Sequence, residues 1–222
     1  MDNTALMRRS WRVNAQAWVD SVRGGLIGSR RHVTDSAIVQ AVMNLEPGRV
    51  LDLGCGEGWL CRTLNAAGIP AMGVDASPEL VDAARRSGGE FYLAAYDELL
   101  SLQLDLGVFP VIICNFSLLD DELYSVLCHM KMFLAQAGAL LIQTLHPWNI
   151  GVDDYRDGWR VESFAGFEGH FSQPMPWYFR SLASWAAVLT NSGFHIHTLS
   201  EPLDQKSGRP LSLLMQCRLT AN

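Results

Sequence analysis

The sequence has no CxxC pair, no unbroken apolar run of the roughly 18 residues a membrane helix needs, and no surplus of positive charge. Each absence removes a class of protein. The five cysteines, at 55, 61, 114, 128 and 217, are odd in number and mostly set in apolar segments. That spacing argues against a disulfide scaffold or a metal site and for buried thiols in a reducing compartment. The longest apolar stretches, around Leu106–Leu119 and Met132–Leu145, are broken by Pro110, Asn115, Gln136 and Gly138. The opening residues Met1-Asp2-Asn3 lack a secretory h-region, so a cytoplasmic location with no membrane partner is the expectation. A net charge of −6 argues against a general nucleic-acid binder. Charged residues are 18% of the 222 and hydrophobic ones 49%, the balance of a globular domain with a sizeable core.

What is present is ordered. Positive charge gathers at the start, where Arg8, Arg9, Arg12, Arg23, Arg30 and Arg31 face only Asp2 and Asp20. They form either a solvated helix face or a site at which one or two meet a carboxylate. Strands then alternate with helices. Thr34 or Asp35 is placed to cap a helix whose Ile38, Val42 and Leu45 share one face. Val50–Leu53, Ala71–Val74, Glu90–Ala94, Val111–Asn115 and Ala139–Leu145 read as buried strands. Between them lie helices from Trp59 to Gly68, from Ser77-Pro78 to about Ser87, and from an Asp120 cap to Gly138. After a helix over Ser181–Ser192, two strands, Phe194–Ser200 and Leu211–Thr220, follow with no helix between them. This predicts a doubly wound α/β fold with a mostly parallel sheet and an antiparallel last strand. Ligands in such sheets bind beyond the carboxyl ends of the strands, where strand order reverses.

The stretch "VLDLGCGEG" (50–58) lies at such an end. Gly54, Gly56 and Gly58 permit a tight turn, a close ligand approach and a helix N-terminus aimed at it. The second strand ends in "GVDAS", which sets Asp75 beside the loop. Its carboxylate suits the two hydroxyls of a ribose, or it caps the helix at Pro78, a task for which Ser77 is also suited. A dinucleotide fingerprint wants glycine where Trp59 stands.

"VLDLGCGEG", "GVDAS", "VIICNFSLL" and "LLIQTLHPW" together resemble the class I S-adenosylmethionine-dependent methyltransferases, from Asp35 to Leu145, with a fitting terminal strand pair. The resemblance implies a seven-stranded Rossmann-like sheet with S-adenosylmethionine across its switch point. It implies that Asp52 and the backbone of Gly54, Cys55 and Gly56 hold the methionine end, with Arg30 or Arg31 on the methionine carboxylate. Asp75 then takes the ribose, with Ala76, Tyr96 and Asp97 about the adenine. Asn115, Phe116 and Ser117 line the sulfonium end. Many relatives carry an acid where this chain has Ala95.

The implied reaction is methyl transfer to a small-molecule acceptor, oxygen rather than nitrogen. Such an acceptor loses a proton, so a base helps. His146, in "TLHPW" at the end of the fifth strand, is either that base or a histidine bonded to backbone at the strand end. Residues 1–34 read as a helical cap, 35–222 as the catalytic domain, and 146–180 as a lid without helical or strand period. Aromatics crowd this lid. Trp148, Trp159, Trp177 and Tyr178, with Arg180, are candidate acceptor contacts, and Trp11 and Trp18 of the cap are expected to join them. The aromatics can equally form a small core that shuts out water. His195 and His197 share a strand face with no third ligand in reach, so no metal is expected. Two rivals stand beside this reading. One is an idle S-adenosylmethionine-binding partner subunit; the other is a nicotinamide-dependent oxidoreductase, disfavoured by Trp59 and the terminal hairpin.

Overall fold

The computed structural model describes residues 2–101, 106–150 and 154–220. Two helices, α1 (Asn3–Val13) and α2 (Ala15–Arg23), precede a π-helical turn at Arg30–Thr34 that runs directly into α3 (Asp35–Met43). Then come β1 (Val50–Leu53), α4 (Trp59–Ala66), β2 (Ala71–Asp75), α5 (Pro78–Arg86), β3 (Glu90–Leu93) and α6 (Glu98–Ser101). The second half holds β4 (Phe109–Asn115), α7 (Tyr124–Met130), β5 (Leu134–Leu145), β6 (Gly158–Glu162), β7 (Met175–Phe179), α8 (Leu182–Asn191), β8 (Phe194–Ser200) and β9 (Ser212–Leu219).

Seven strands form one sheet in the order β3-β2-β1-β4-β5-β9-β8. β1 to β5 are parallel, and β9 runs antiparallel between β5 and β8. The chain winds outward from β1 to β3, then returns to β4 on the other side of β1. Strand order therefore reverses between the carboxyl ends of β1 and β4. Apolar strands buried on both faces require cover on both faces. Ile38, Val42, Leu60, Leu64, Val81 and Ala84 from α3, α4 and α5 cover one. Leu127, Met130, Trp185 and Leu189 from α7 and α8 cover the other. The expected cap holds at α5, where Ser77 Oγ accepts from Leu80 N at 3.4 Å; α8 is capped too, Ser181 Oγ accepting from Ser184 N at 3.3 Å.

Three expectations are corrected. The helix placed over Asp120–Gly138 spans only Tyr124–Met130, and β5 already begins at Leu134. Leu134 is apolar in either element, and pairing with Phe109 across an irregular register draws it into the sheet. Asp120 does not cap α7; its Oδ1 accepts instead from Thr4 Oγ1 at 2.8 Å and Asp121 N at 2.9 Å. Thr34 makes no side-chain cap, because the chain enters α3 already helical. The lid is not structureless: β6 and β7 form an antiparallel hairpin with Trp159 opposite Tyr178. Its strand period is hidden because Met175 and Phe179 on one side of β7 and Pro176 on the other are all buried. Lid residues 151–153 lie outside the described residues.

The cap and the hairpin hold each other. Trp18 stacks on Trp11 at 4.9 Å and meets Phe164, Phe167 and Phe171 edge-on. Asn14, 1% exposed, binds the loop before β7 with both ends of its amide. Its Oδ1 accepts from Ser172 N and Gln173 N at 2.9 and 3.3 Å, and its Nδ2 donates to Gln173 O at 2.7 Å. Asn14→Ala should cost about 2–3 kcal/mol, since it orphans buried backbone groups as well as deleting bonds. Denaturant unfolding would measure this, and limited proteolysis should show earlier cutting in the 163–174 loop.

Candidate functional site

The site grows from the end of β1. Gly54 sits at φ +79°, and a Cβ on it would lie 2.2 Å from Ser117 Cβ. Only glycine lets the ends of β1 and β4 approach this closely. The carbonyl of Leu53 collects the surrounding side chains: Ser117 Oγ donates to it at 2.6 Å and Tyr96 Oη at 3.3 Å. Tyr96 Oη also lies 3.4 Å from Ser117 O, and burial holds the phenol protonated. Gly58 packs against the ring of Phe91, which a Cβ on it would approach to 2.6 Å, and this contact seats the start of α4 on the sheet. The loop is thus fixed from both sides, while a Cβ on Gly56 would meet open space.

Beneath the loop lies Asp52, 2% exposed. Burial pushes its carboxyl up to about 7 and the nearby Asp75 charge adds to this, while the Cys61 thiol and Arg30 pull it down. Among the described residues its Oδ2 has only the Cys61 thiol at 3.8 Å, and its Oδ1 is buried without a partner. Arg30 is the counter-charge. Its guanidinium lies over the Trp59 ring at 4.7 Å, and its Nε donates to Asp35 Oδ1 at 3.0 Å. Its Nη2 is buried and unpartnered, as is the hydroxyl of Thr34 one turn later. Arg31 is exposed, with its guanidinium 3.1 Å from His32. Of the two arginines, the structure turns Arg30 inward.

Asp75 is bound to the loop itself. Gly56 N donates to its Oδ2 and Ser77 N to its Oδ1, both at 2.8 Å. Each oxygen keeps acceptor capacity beyond that bond. Burial raises its pKa, and these backbone donors oppose the shift. Ala76 is exposed beside it, and Asp97 is exposed and paired with Arg8 of the cap at 3.0 Å. Asn115 ends β4 and Phe116 follows it at φ 54°, a strained value for a non-glycine residue. Cys55 is a buried thiol that burial pushes well above its usual range, so it stays neutral and only its backbone suits a polar ligand.

Glu57 is a candidate site residue that the motif alone does not single out. It is 2% exposed, yet it takes Arg23 Nε at 2.7 Å and Arg62 Nη2 at 2.7 and 2.8 Å. It thereby ties the glycine loop to the cap and to α4. Its place inside "GCGEG", with arginines before and after, is the available signal. Trp59 does more than exclude a dinucleotide; it is also the platform under Arg30.

His146 has both ring nitrogens hydrogen-bonded. Its Nδ1 accepts from Trp148 N at 3.1 Å, so its Nε2 is the protonated nitrogen and donates to Glu201 Oε1 at 2.8 Å. Both nitrogens are committed, one of them to backbone beyond the strand end. The acceptor candidates do not share one wall. Trp148 is 66% exposed on a 3-10 turn, while Trp159 and Tyr178 face each other at 5.6 Å on one side of the hairpin. Trp177, next along the strand, packs with the cap aromatics on the opposite side. Arg180 is buried between Tyr178 and Trp185, with Nη2 donating to Asp121 O at 2.6 Å and Nη1 unpartnered.

Comparison with known proteins fits this geometry. Residues 29–199 match the family described as a methyltransferase domain. The chain is 24% identical over 177 residues to an uncharacterized methyltransferase of Schizosaccharomyces pombe, covering 72% of this chain and 64% of that relative's length. An S-adenosylmethionine-dependent methyltransferase of Mesorhizobium loti is similar in structure, with a TM-score of 0.60 and 21% identity over 82% of this chain and 96% of that one. So is the Burkholderia thailandensis 1,6-didemethyltoxoflavin-N1-methyltransferase, with a TM-score of 0.66 and 21% identity over 98% of this chain and 89% of that one.

Two outcomes test the site as described. Gly54→Ala should destabilise the fold by about 2 kcal/mol or more, because it combines a positive φ with a collision at Ser117. Calorimetry would measure it. Asp52 tests the electrostatics. Its folded pKa of about 7 lies above the unfolded value, so the folded chain binds the extra proton and stability falls as pH rises from about 4 to 7. The slope from this group is at most about 1.4 kcal/mol per pH unit. Asp52→Asn should therefore gain Tm relative to the unsubstituted protein between pH 5 and pH 8.

Proposed function

The chain belongs to the class I S-adenosylmethionine-dependent methyltransferases, and on that premise we propose that it methylates an oxygen of a small-molecule acceptor. The observation that carries the cofactor placement is that Arg30 Nη2, Asp52 Oδ1 and Thr34 Oγ1, from the β1 end and the turn before α3, are buried without partners among the described residues. Buried polar groups are ordinarily bonded. A carboxylate suits the arginine, and an ammonium suits the aspartate and the hydroxyl. These are the groups at the methionine end of the cofactor. Asp75, with acceptor capacity left on both oxygens, suits two ribose hydroxyls. When bound, S-adenosylmethionine supplies a methyl group already activated by its sulfonium.

The chain's own task is then positioning and exclusion of water. Near-attack placement can supply several kcal/mol of the barrier without any acid or base. Asn115, Phe116 and Ser117 form the wall beyond the loop, and the cap with the β6–β7 hairpin closes over it. Because both nitrogens of His146 are committed, the reading that fits best is an acceptor oxygen that arrives already ionised, as a carboxylate does. Arg180, buried with one N–H unpartnered, is the cation suited to such an acceptor. A nitrogen acceptor is the second reading, favoured by the Burkholderia enzyme, whose name specifies N-methylation and whose structure is similar over 98% of this chain.

Thermal-shift titration should show stabilisation by S-adenosylmethionine and S-adenosylhomocysteine and none by NAD. Stabilisation by NAD alone would reinstate the oxidoreductase reading. Arg30→Ala should weaken S-adenosylhomocysteine binding by roughly 10–100-fold, with Arg31→Ala close to unchanged. A panel of small carboxylic acids, phenols and ring nitrogens with labelled cofactor would sort the acceptor. Transfer to nitrogen alone overturns the oxygen reading, and binding without any transfer returns the idle-subunit alternative.

A further inference from the structure

Gln143 stands out in β5, where Leu140, Leu141 and Ile142 precede it and all four are buried. It is 1% exposed, and an amide at such a position is costly unless every polar atom is satisfied. Each one is. Nε2 donates to Thr34 O at 2.9 Å and to Asn115 Oδ1 at 2.8 Å, and Oε1 accepts from Ser212 Oγ at 3.1 Å. Its backbone carbonyl takes Phe116 N at 2.7 Å.

The partners explain the amide. Thr34 ends the π-helical turn that begins at Arg30, and π-helical turns free a carbonyl from the regular ladder. Asn115 ends β4 on the other wall of the crevice. A leucine or methionine would fill the same volume but would bind neither. Committing Asn115 Oδ1 to Gln143 also decides which end of the Asn115 amide remains for other partners. The turn so held carries two atoms, Arg30 Nη2 and Thr34 Oγ1, that are buried and unpartnered among the described residues.

We propose that Gln143 is a positioning residue for cofactor binding: by bridging Thr34 O to Asn115 Oδ1 it holds the Arg30-bearing turn in register with the end of β4. This rests on the reading that the methionine end lies between those two walls. Gln143 touches no reacting atom; it acts through Arg30 and Asn115.

The test is a double-mutant cycle read by calorimetric binding of S-adenosylhomocysteine to folded protein. Gln143→Met should weaken binding about tenfold, the size of one buried hydrogen bond's net worth. Arg30→Ala should then cost much less in the Gln143→Met background than in the unsubstituted protein, because its positioning is already lost. A purely structural glutamine would lower Tm and leave the affinity of the folded protein, and the full effect of Arg30→Ala, unchanged; either result overturns the proposal. Should Gln143→Met not accumulate folded, Ser212→Ala removes only the hydroxyl that orients Gln143. It should weaken binding about threefold and be less than additive with Arg30→Ala; unchanged affinity overturns the proposal. If the unsubstituted protein itself fails to bind S-adenosylhomocysteine, the cofactor placement fails first, which separates the two readings.

Discussion

The close approach of two strand ends at Gly54 is the constraint from which the rest of the site follows. β1 and β4 sit side by side in the sheet, and their connections leave in opposite directions. A residue with a Cβ at position 54 would collide with Ser117. With glycine there, the Leu53 carbonyl is reachable by both Ser117 and Tyr96. Segments from the ends of β1, β3 and β4 are drawn to one oxygen, and the walls of the crevice are set before any side chain specific to a ligand is considered.

Charge is then distributed on that frame in an unequal way. Asp52 is buried almost alone, so the sheet holds a carboxyl that ionises reluctantly. Asp75 is half-buried and supported by backbone N–H groups of the loop and of the turn into α5. Glu57 is buried and paired with two arginines. Three acids within a short distance along the chain therefore have three different electrostatic situations. The unsupported one, Asp52, feels the charge of Arg30, whose own Nη2 is unpartnered among the described residues. A fold tolerates such unpaired groups where a ligand completes them.

The cap and hairpin solve a different problem. The stacked pair Phe164 and Phe171, 4.4 Å apart, and the ring of aromatics around Trp18 leave little of that cluster to face an acceptor. Their burial fastens α1 and α2 to the hairpin, and Asn14 locks the join with directional bonds. Tyr178 N donates to Leu119 O, which anchors the hairpin beside the end of β4. The aromatic-rich stretch thus forms a small core between the N-terminal helices and the hairpin, and Trp177 and Tyr178, adjacent in one strand, serve opposite sides of the hairpin.

The sequence by itself determined the sheet and where its ligand end lies. Buried strands such as Val50–Leu53, glycines at 54, 56 and 58, and the Ser77-Pro78 cap act locally, through steric freedom and near-neighbour hydrogen bonds, and these read directly from residue order. Asp52, Asp75 and Asn115 were legible for the same reason: each ends or adjoins a strand at a known position. Tertiary structure alone decided what those residues meet. Leu134 became strand because Phe109 offered a partner, the lid became a hairpin with one face covered by the N-terminal aromatics, and His146 was taken by Glu201, 55 residues away. The choice of Arg30 over Arg31, and the bridge from Gln143 to Thr34 across 109 residues, depend on which groups the fold brings within hydrogen-bond reach. Hydrogen bonds between positions so distant leave no periodicity in a chain, which is why no pattern of neighbours could announce them.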